Sequence, residues 1–272
     1  MMAAGPRRTR AKGPSVSSKT RGCGIAVMAK ASAPGRTKTR LVPPLTYEEA
    51  AAFNTAFLQD IAANLLKAGQ AADISGTMAF GPPGSEAFFH RHLPGGIDLM
   101  GVWFPDFGEC LLVAIQELLR RDHAAAVVLN ADSPTLPTAL LVRTAELLAQ
   151  PGDRAVLGPA SDGGYYLLGL KAAHRRLFED IDWSTERVAQ QTLARAREIG
   201  LPMHVLPTWY DVDDLAALRT LVAEIRAGHS FDARLTPNQP VHTAALLDTL
   251  LRQTDLAARL GMPDESFERI AV

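Results

Sequence analysis

Residues 26–41 read "AVMAKASAPGRTKTRL". A short apolar run with strand character breaks at a Pro-Gly turn and passes into closely spaced positive charge. Lys30, Arg36, Lys38 and Arg40 fall within eleven residues with no acidic neighbour. In open α/β sheets, ligands gather beyond the carboxyl ends of strands, and this loop stands at such an end. It has neither the G-x-x-x-x-G-K-[ST] spacing of a P-loop nor a dinucleotide fingerprint, since Gly35 is its only glycine. What it offers is charge: guanidinium forks match phosphate oxygens, and lysines add point charges. Taken alone, a solvated basic loop explains the same residues equally well.

The surrounding chain sharpens that choice. The 272 residues suffice for one large domain or two small ones, and 47% hydrophobic with 21% charged residues is ordinary for a globular protein. The formal charge is −1, but residues 1–21 hold six basic residues and no acid, which leaves 22 basic against 29 acidic residues in the rest. A mildly acidic body argues against general nucleic-acid binding and makes the 26–41 loop a local positive island. Cys23 and Cys110 stand far apart, which excludes a disulfide framework or zinc ribbon and fits a reducing cytoplasm, the expected compartment. No apolar run approaches a membrane span. The start reads as a disordered basic tail over residues 1–22 rather than a signal peptide, because "CGIAVMA" is short, stops at Lys30 and has no clear cleavage site.

Strands and helices alternate along the chain. Strands are expected at 24–30, 72–80, 97–104, 124–131, 154–160, 163–170 and 203–210. Helices are expected at 45–69, 108–121, 137–150, 184–200, 213–228 and near 241–260. Thr46 and Glu49 form a Thr-x-x-Glu capping box for the first helix, with Gly69 at its end. This alternation predicts an α/β domain over residues 23–228 and a C-terminal helical extension over 229–272. That extension could pack on the body or on a second subunit, which keeps a homodimer open.

Three further segments sit at expected strand ends. In "NADSPTLP" (130–137), Asp132 ends the most apolar strand, where it either caps a helix with Ser133 or meets a cation. In "GPASDGGYYLLGL" (158–170), Gly163 and Gly164 permit close backbone approach behind Asp162, and a plain hairpin turn explains them equally well. In "WYDVDD" (209–214), Asp211 and Asp213 at i and i+2 point to one side of an extended segment and could share a cation. Capping of the next helix needs only Asp213 or Asp214. The pair at His90 and His92 reads as a surface loop, and no serine or cysteine has the setting of a hydrolase nucleophile.

Together "AVMAKASAPGRTKTRL", "NADSPTLP", "GPASDGGYYLLGL", "DWSTERV" and "WYDVDDLAAL" resemble, in order and spacing, a bacterial family with the GT-A, nucleotide-diphospho-sugar transferase fold. Members of that family are commonly described as glycosyltransferases, some linked to arsenosugar biosynthesis. The pattern is also similar, more remotely, to the guanylyltransferases of molybdenum-cofactor and coenzyme F420 biosynthesis. The resemblance covers about residues 24–228 and implies a Rossmann-like three-layer α/β/α sandwich with a mixed, mostly parallel sheet. It implies that Lys30, Arg36, Lys38 and Arg40 grip nucleotide phosphates, with Asp106 and Gly108 also on the nucleotide. Asp132, Asp211 and Asp213 would hold Mg2+ or Mn2+, and Asp132 and Asp162 would be catalytic. Gly163, Gly164, Trp183, Ser184 and Thr185 would line the sugar or acceptor side. Two departures stand out: Asn130 replaces the first acid of the usual Asp-x-Asp, and "PDFGEC" (105–110) replaces Gly-Asp-Leu-Gly-Glu-Arg.

The expected function is therefore metal-dependent transfer from a nucleotide sugar to a small-molecule acceptor. The first alternative is nucleotidyl transfer from a nucleoside triphosphate to a phosphorylated acceptor, which would release pyrophosphate. The second, prompted by Asn130 and the altered 105–110 segment, is nucleotide binding without turnover.

Overall fold

The computed structural model describes residues 21–262. The expected tail lies outside the described residues except for Arg21 and Gly22, which instead open the first strand, β1 (Arg21–Lys30). The chain continues through α1 (Tyr47–Ala71), β2 (Ile74–Gly81), α2 (Glu86–His92), β3 (Asp98–Gly101), α3 (Phe107–Arg120) and β4 (His123–Leu129). Then come α4 (Thr138–Ala149), β5 (Ala155–Pro159), β6 (Tyr165–Leu170), α5 (Val188–Glu198), β7 (Met203–Val205), α6 (Leu215–Ala227), α7 (Val241–Gln253) and α8 (Leu256–Leu260).

Among the described residues the strands form a seven-stranded sheet in the order β3-β2-β1-β4-β6-β5-β7. Only β6 runs against the others: it pairs antiparallel with β4 and β5, while the remaining pairs are parallel. The sheet is covered on both faces, so its central strands read as continuous apolar runs. Along β1, Ile25, Val27 and Ala29 face one core while Ala26 faces the other. Along β4, Ala125, Val127 and Leu129 alternate in the same way with Ala126 and Val128. The first core takes its cover from α1, α4, α6, α7 and α8, and the second from α3 and α5. The result is the three-layer α/β/α sandwich with a mixed, mostly parallel sheet that the sequence implies.

The differences from expectation have local causes. β7 stops at Val205 rather than 210: Leu206 N still donates to Leu157 O, but the next donor from β5 would be Pro159, which carries no N–H for the ladder. Pairing resumes only at an isolated bridge between Ala160 and Trp209. The expected strand from 163 begins at Tyr165, since the preceding glycines make the turn. The long C-terminal helix is two helices, with Thr254 extended between them and Gly261 in the left-handed region closing the second. The capping box is formed as read: the Thr46 hydroxyl accepts from Glu49 N at 3.1 Å and the Glu49 carboxylate accepts from Thr46 N at 2.8 Å.

The C-terminal helices are fastened to α1 by polar contacts as well as by burial of Leu247, Leu251, Leu256 and Leu260. The buried Asp60 carboxylate accepts from His242 N and Thr243 N, both at 2.8 Å, and from the Thr243 hydroxyl at 2.6 Å. It thereby satisfies the otherwise orphaned first turn of α7. Arg259 on α8 donates to both Glu49 oxygens, at 2.8 and 2.7 Å. The Arg259 guanidinium holds the Glu49 carboxyl below its ordinary value, against the opposing effect of burial.

Arg259→Met should therefore destabilise the protein by about 1–2 kcal/mol, the value of a charge-assisted pair discounted for partial exposure. A carboxyl depressed in the folded state contributes stability above its unfolded pKa and loses it as pH falls. The gap between wild type and Arg259→Met in urea denaturation should be full at neutral pH and close below about pH 4.

Candidate active site

The loop after β1 is shaped before it is charged. Ala33 O accepts from Arg36 N and Thr37 N, and the Thr37 hydroxyl returns to Ala33 O at 3.2 Å. Gly35 (φ 71°) and Lys38 (φ 53°) both take left-handed backbone, and residues 39–41 make a 3-10 turn. The buried Asn54 of α1 holds the loop's base, donating to Lys30 O at 3.2 Å and to the Ser32 hydroxyl at 2.8 Å. The turn leaves Arg36 exposed and swings Lys38 inward.

Lys38 is the centre of the site. Its side chain is only 5% exposed, and its ammonium reaches Asp132 Oδ1 at 2.6 Å and Asp213 Oδ1 at 2.8 Å. It also donates to Val212 O at 2.9 Å, so three acceptors match its three protons. The Phe57 ring lies 5.4 Å away. Burial alone would lower the Lys38 pKa, but Asp132 and Asp213 outweigh it and hold the group above the ordinary lysine value. Arg40 pairs with the other oxygen of Asp213. Burial would raise Asp213, yet Lys38 and Arg40 keep it below the usual carboxylate range.

The backbone brings these carboxylates together. Val212 N donates to Asp132 O at 2.8 Å, and the Ser133 hydroxyl donates to Tyr210 O at 2.8 Å. The segment after β4 is thus laced to the segment before α6. Neither Asp132 nor Ser133 caps α4, whose N-cap is Pro137. Asp214 caps α6, accepting from Ala217 N at 2.8 Å, which frees Asp211 and Asp213 from that duty. Asp211 is pushed up to about 7, first by burial and then by the charges of Asp162, Asp213 and Asp132.

Lys30, Arg36, Lys38, Arg40, Asp132 and Asp213 line one open cleft of about 310 Å3 at the carboxyl ends of β1 and β4. Asn130 lines it too: its amide donates to the Ser133 hydroxyl at 3.1 Å, while its Oδ1 is buried with no hydrogen-bond partner. Asn130, Asp132 and Asp213 carry hard oxygens of the kind Mg2+ or Mn2+ takes, and Asp132 Oδ1 and both oxygens of Asp213 already meet Lys38 or Arg40, which an ion there would have to displace. Among the described residues, no group of three or more His, Cys, Asp or Glu side chains gathers at metal-binding spacing.

The other expected residues stand outside the cleft lining. Asp162 is exposed and accepts from Gly164 N at 2.8 Å, the local bond of a hairpin turn. Gly163 (φ 89°) is required twice over, because a Cβ there would stand 2.1 Å from Glu186 O. Asp106 caps α3, accepting from Glu109 N at 2.7 Å. Gly108 is buried beneath Trp183, where a Cβ would stand 3.0 Å from the indole. Ser184 is exposed with left-handed backbone (φ 63°), and the Thr185 hydroxyl donates to Asp182 O at 2.7 Å. Sequence reasoning missed Phe107, which lines the cleft and packs edge-on against Trp183 at 5.4 Å between centroids. It also missed the Asn54 brace. The aromatic within "PDFGEC" was the one signal for the former.

Two stability measurements test this construction. Lys38→Met keeps the packing on Phe57 but leaves two carboxylates facing each other, and should cost about 2–4 kcal/mol in urea denaturation. Gly163→Ala should be severely destabilising, whereas Gly152→Ala, with φ 85° but open space around it, should lose only about 1–2 kcal/mol.

Comparison with known proteins agrees with the fold. At 28% identity, this chain is similar to the crystal structure of an inferred nucleotide-diphospho-sugar transferase from Desulfovibrio desulfuricans G20. The TM-score is 0.70, and the match covers 85% of this chain and 97% of that one. More remote likeness reaches a CMP:2-keto-3-deoxy-manno-octonic acid synthetase complexed with CTP (TM-score 0.49, 11% identity, 76% and 100% covered). It also reaches the manganese complex of Rv0371C from Mycobacterium tuberculosis H37Rv (TM-score 0.43, 17% identity, 74% and 98% covered). No curated protein matches the sequence. Residues 64–185 match the profile of the DUF2064 family, described as an uncharacterized protein conserved in bacteria, and this bears out the resemblance to a bacterial family with the nucleotide-diphospho-sugar transferase fold.

Proposed function

We propose that the protein is a transferase acting on a nucleotide-activated substrate, with a nucleotide sugar as donor and a small molecule as acceptor. The observation that carries this reading is the cleft itself. Its wall of cations is Lys30, Arg36 and Arg40, the last already paired with Asp213, and Asn130, Asp132 and Asp213 line it as well. Those cations suit phosphate oxygens, and they would stabilise a leaving nucleoside diphosphate as its charge builds. Asn130, Asp132 and Asp213 would hold a Mg2+ or Mn2+ ion, with Asp211 close behind. Such an ion, when bound, supplies further stabilisation of diphosphate charge.

The segment that carries Asp162, Gly163 and Gly164 and the one that carries Trp183, Ser184 and Thr185 would form the sugar or acceptor side. Asp162, exposed there, is the candidate base for an acceptor hydroxyl. The likeness to the Desulfovibrio protein supports a nucleotide-sugar donor. A second reading, nucleotidyl transfer from a nucleoside triphosphate, draws support from the same wall, because its three cations also suit a triphosphate.

The test is a thermal-shift panel of sugar nucleotides and nucleoside triphosphates, each with and without Mn2+. At about 100 times Kd, a bound ligand should raise Tm by on the order of 5–10 °C. Gains that need Mn2+, occur with sugar nucleotides and shrink in Asp132→Ala support the proposal. Gains confined to triphosphates, with pyrophosphate released on turnover, support the second reading. No gain with any nucleotide would sink both.

A further inference from the structure

Beside the cleft lies an aromatic surface that the phosphate chemistry does not use. Residues 103–107 read "WFPDF", and Trp103, Phe104 and Phe107 are 51%, 41% and 49% exposed. Three large exposed rings within five residues need a reason, since water-facing aromatic area gains nothing in the free protein.

Their position supplies one. The Trp103 ring lies on Gly81, where a Cβ would stand 2.1 Å from it, and Gly81 is the register partner of Lys30 in the adjacent strand. Trp103 therefore covers the carboxyl end of β2 while Lys30 marks the carboxyl end of β1. Phe107 lines the cleft together with Lys30 and Arg36. The loop that carries both rings is braced. Phe104 N donates to Cys110 Sγ at 3.3 Å, the Cys110 thiol donates to Phe104 O at 3.5 Å, and Asp106 caps α3. Phe107 is further held by its edge contact with Trp183. The rings are held before any ligand arrives, so little ordering cost opposes stacking on them.

Resting on the phosphate reading above, we propose that Trp103 and Phe107 form the nucleobase subsite of this cleft, stacking the base of a nucleotide whose phosphates meet Lys30, Arg36 and Arg40. A flat π-system attached to a polyanion is the ligand that satisfies both neighbouring surfaces at once. One of the two rings, Phe107, falls within the altered 105–110 segment and lines the cleft there.

The experiment is calorimetric titration of the full chain with the four common nucleoside triphosphates and with inorganic tripolyphosphate, which has the charge but no base. In wild type, at least one nucleotide should bind about 10-fold or more tighter than tripolyphosphate. Trp103→Ala and Phe107→Ala should reduce that preference toward unity without changing tripolyphosphate affinity, and Phe107→Trp should retain it. Ligand-free melting of each variant checks that it folds. Equal affinity for nucleotides and tripolyphosphate in wild type overturns the subsite while leaving the phosphate site standing. A preference that survives both alanine variants overturns it as well, as does a loss of self-association in those variants with the preference intact. If neither probe binds, the phosphate reading falls and takes the subsite with it.

Discussion

The ammonium of Lys38 between Asp132 and Asp213 is the contact on which the site depends. Three parts of the chain converge there: the loop after β1, the turn after β4 and the segment before α6. Each carries charge that would repel or be left desolvated without the others. The positive residue must be buried to reach both acids, and both acids must be close to keep it charged. The left-handed backbone at Lys38 is the local adjustment that turns the side chain inward. Because three acceptors consume its protons, this lysine organises the cleft, and with Arg40 paired to Asp213 the outward cations Lys30 and Arg36 are the ones left for the proposed ligand.

The fold was legible because it rests on patterns that survive in one dimension. Runs such as "AAAVVLNA" mark strands buried on both faces, and Thr46 with Glu49 marks a helix start by chemistry that needs no tertiary context. Boundaries were less legible where a proline removed a donor, as at Pro159, or where a single extended residue, Thr254, split a helix.

The site was legible in its membership more than in its arrangement. Six residues expected at strand ends do share one cleft, because loops at the carboxyl edge of a parallel sheet converge whatever their separation in sequence. Which cation turns inward was not readable, since Lys38 and Arg36 have the same charge and the left-handed backbone at Lys38 has no mark in the sequence. Asp106, Gly108 and Gly163 show the reverse case. Each has a sufficient structural duty, as a cap, a close packing point or a turn, that a sequence pattern cannot separate from ligand binding. Asn130 loses an acid relative to the related pattern, yet it keeps an unpartnered, buried oxygen acceptor at that place.

The reversed direction of β6 has an effect on how such a protein can change. An antiparallel strand brings its amino end, not its carboxyl end, to the edge where β4 and β5 finish their work. The 160–164 turn is thereby delivered to the cleft side by a tight hairpin instead of a long crossover. Added length at that turn would extend outward from that edge, leaving the register of the sheet untouched. On the function proposed above, acceptor scope would then drift through insertions at one surface loop while the cationic wall, carried by the loop after β1, stays as it is.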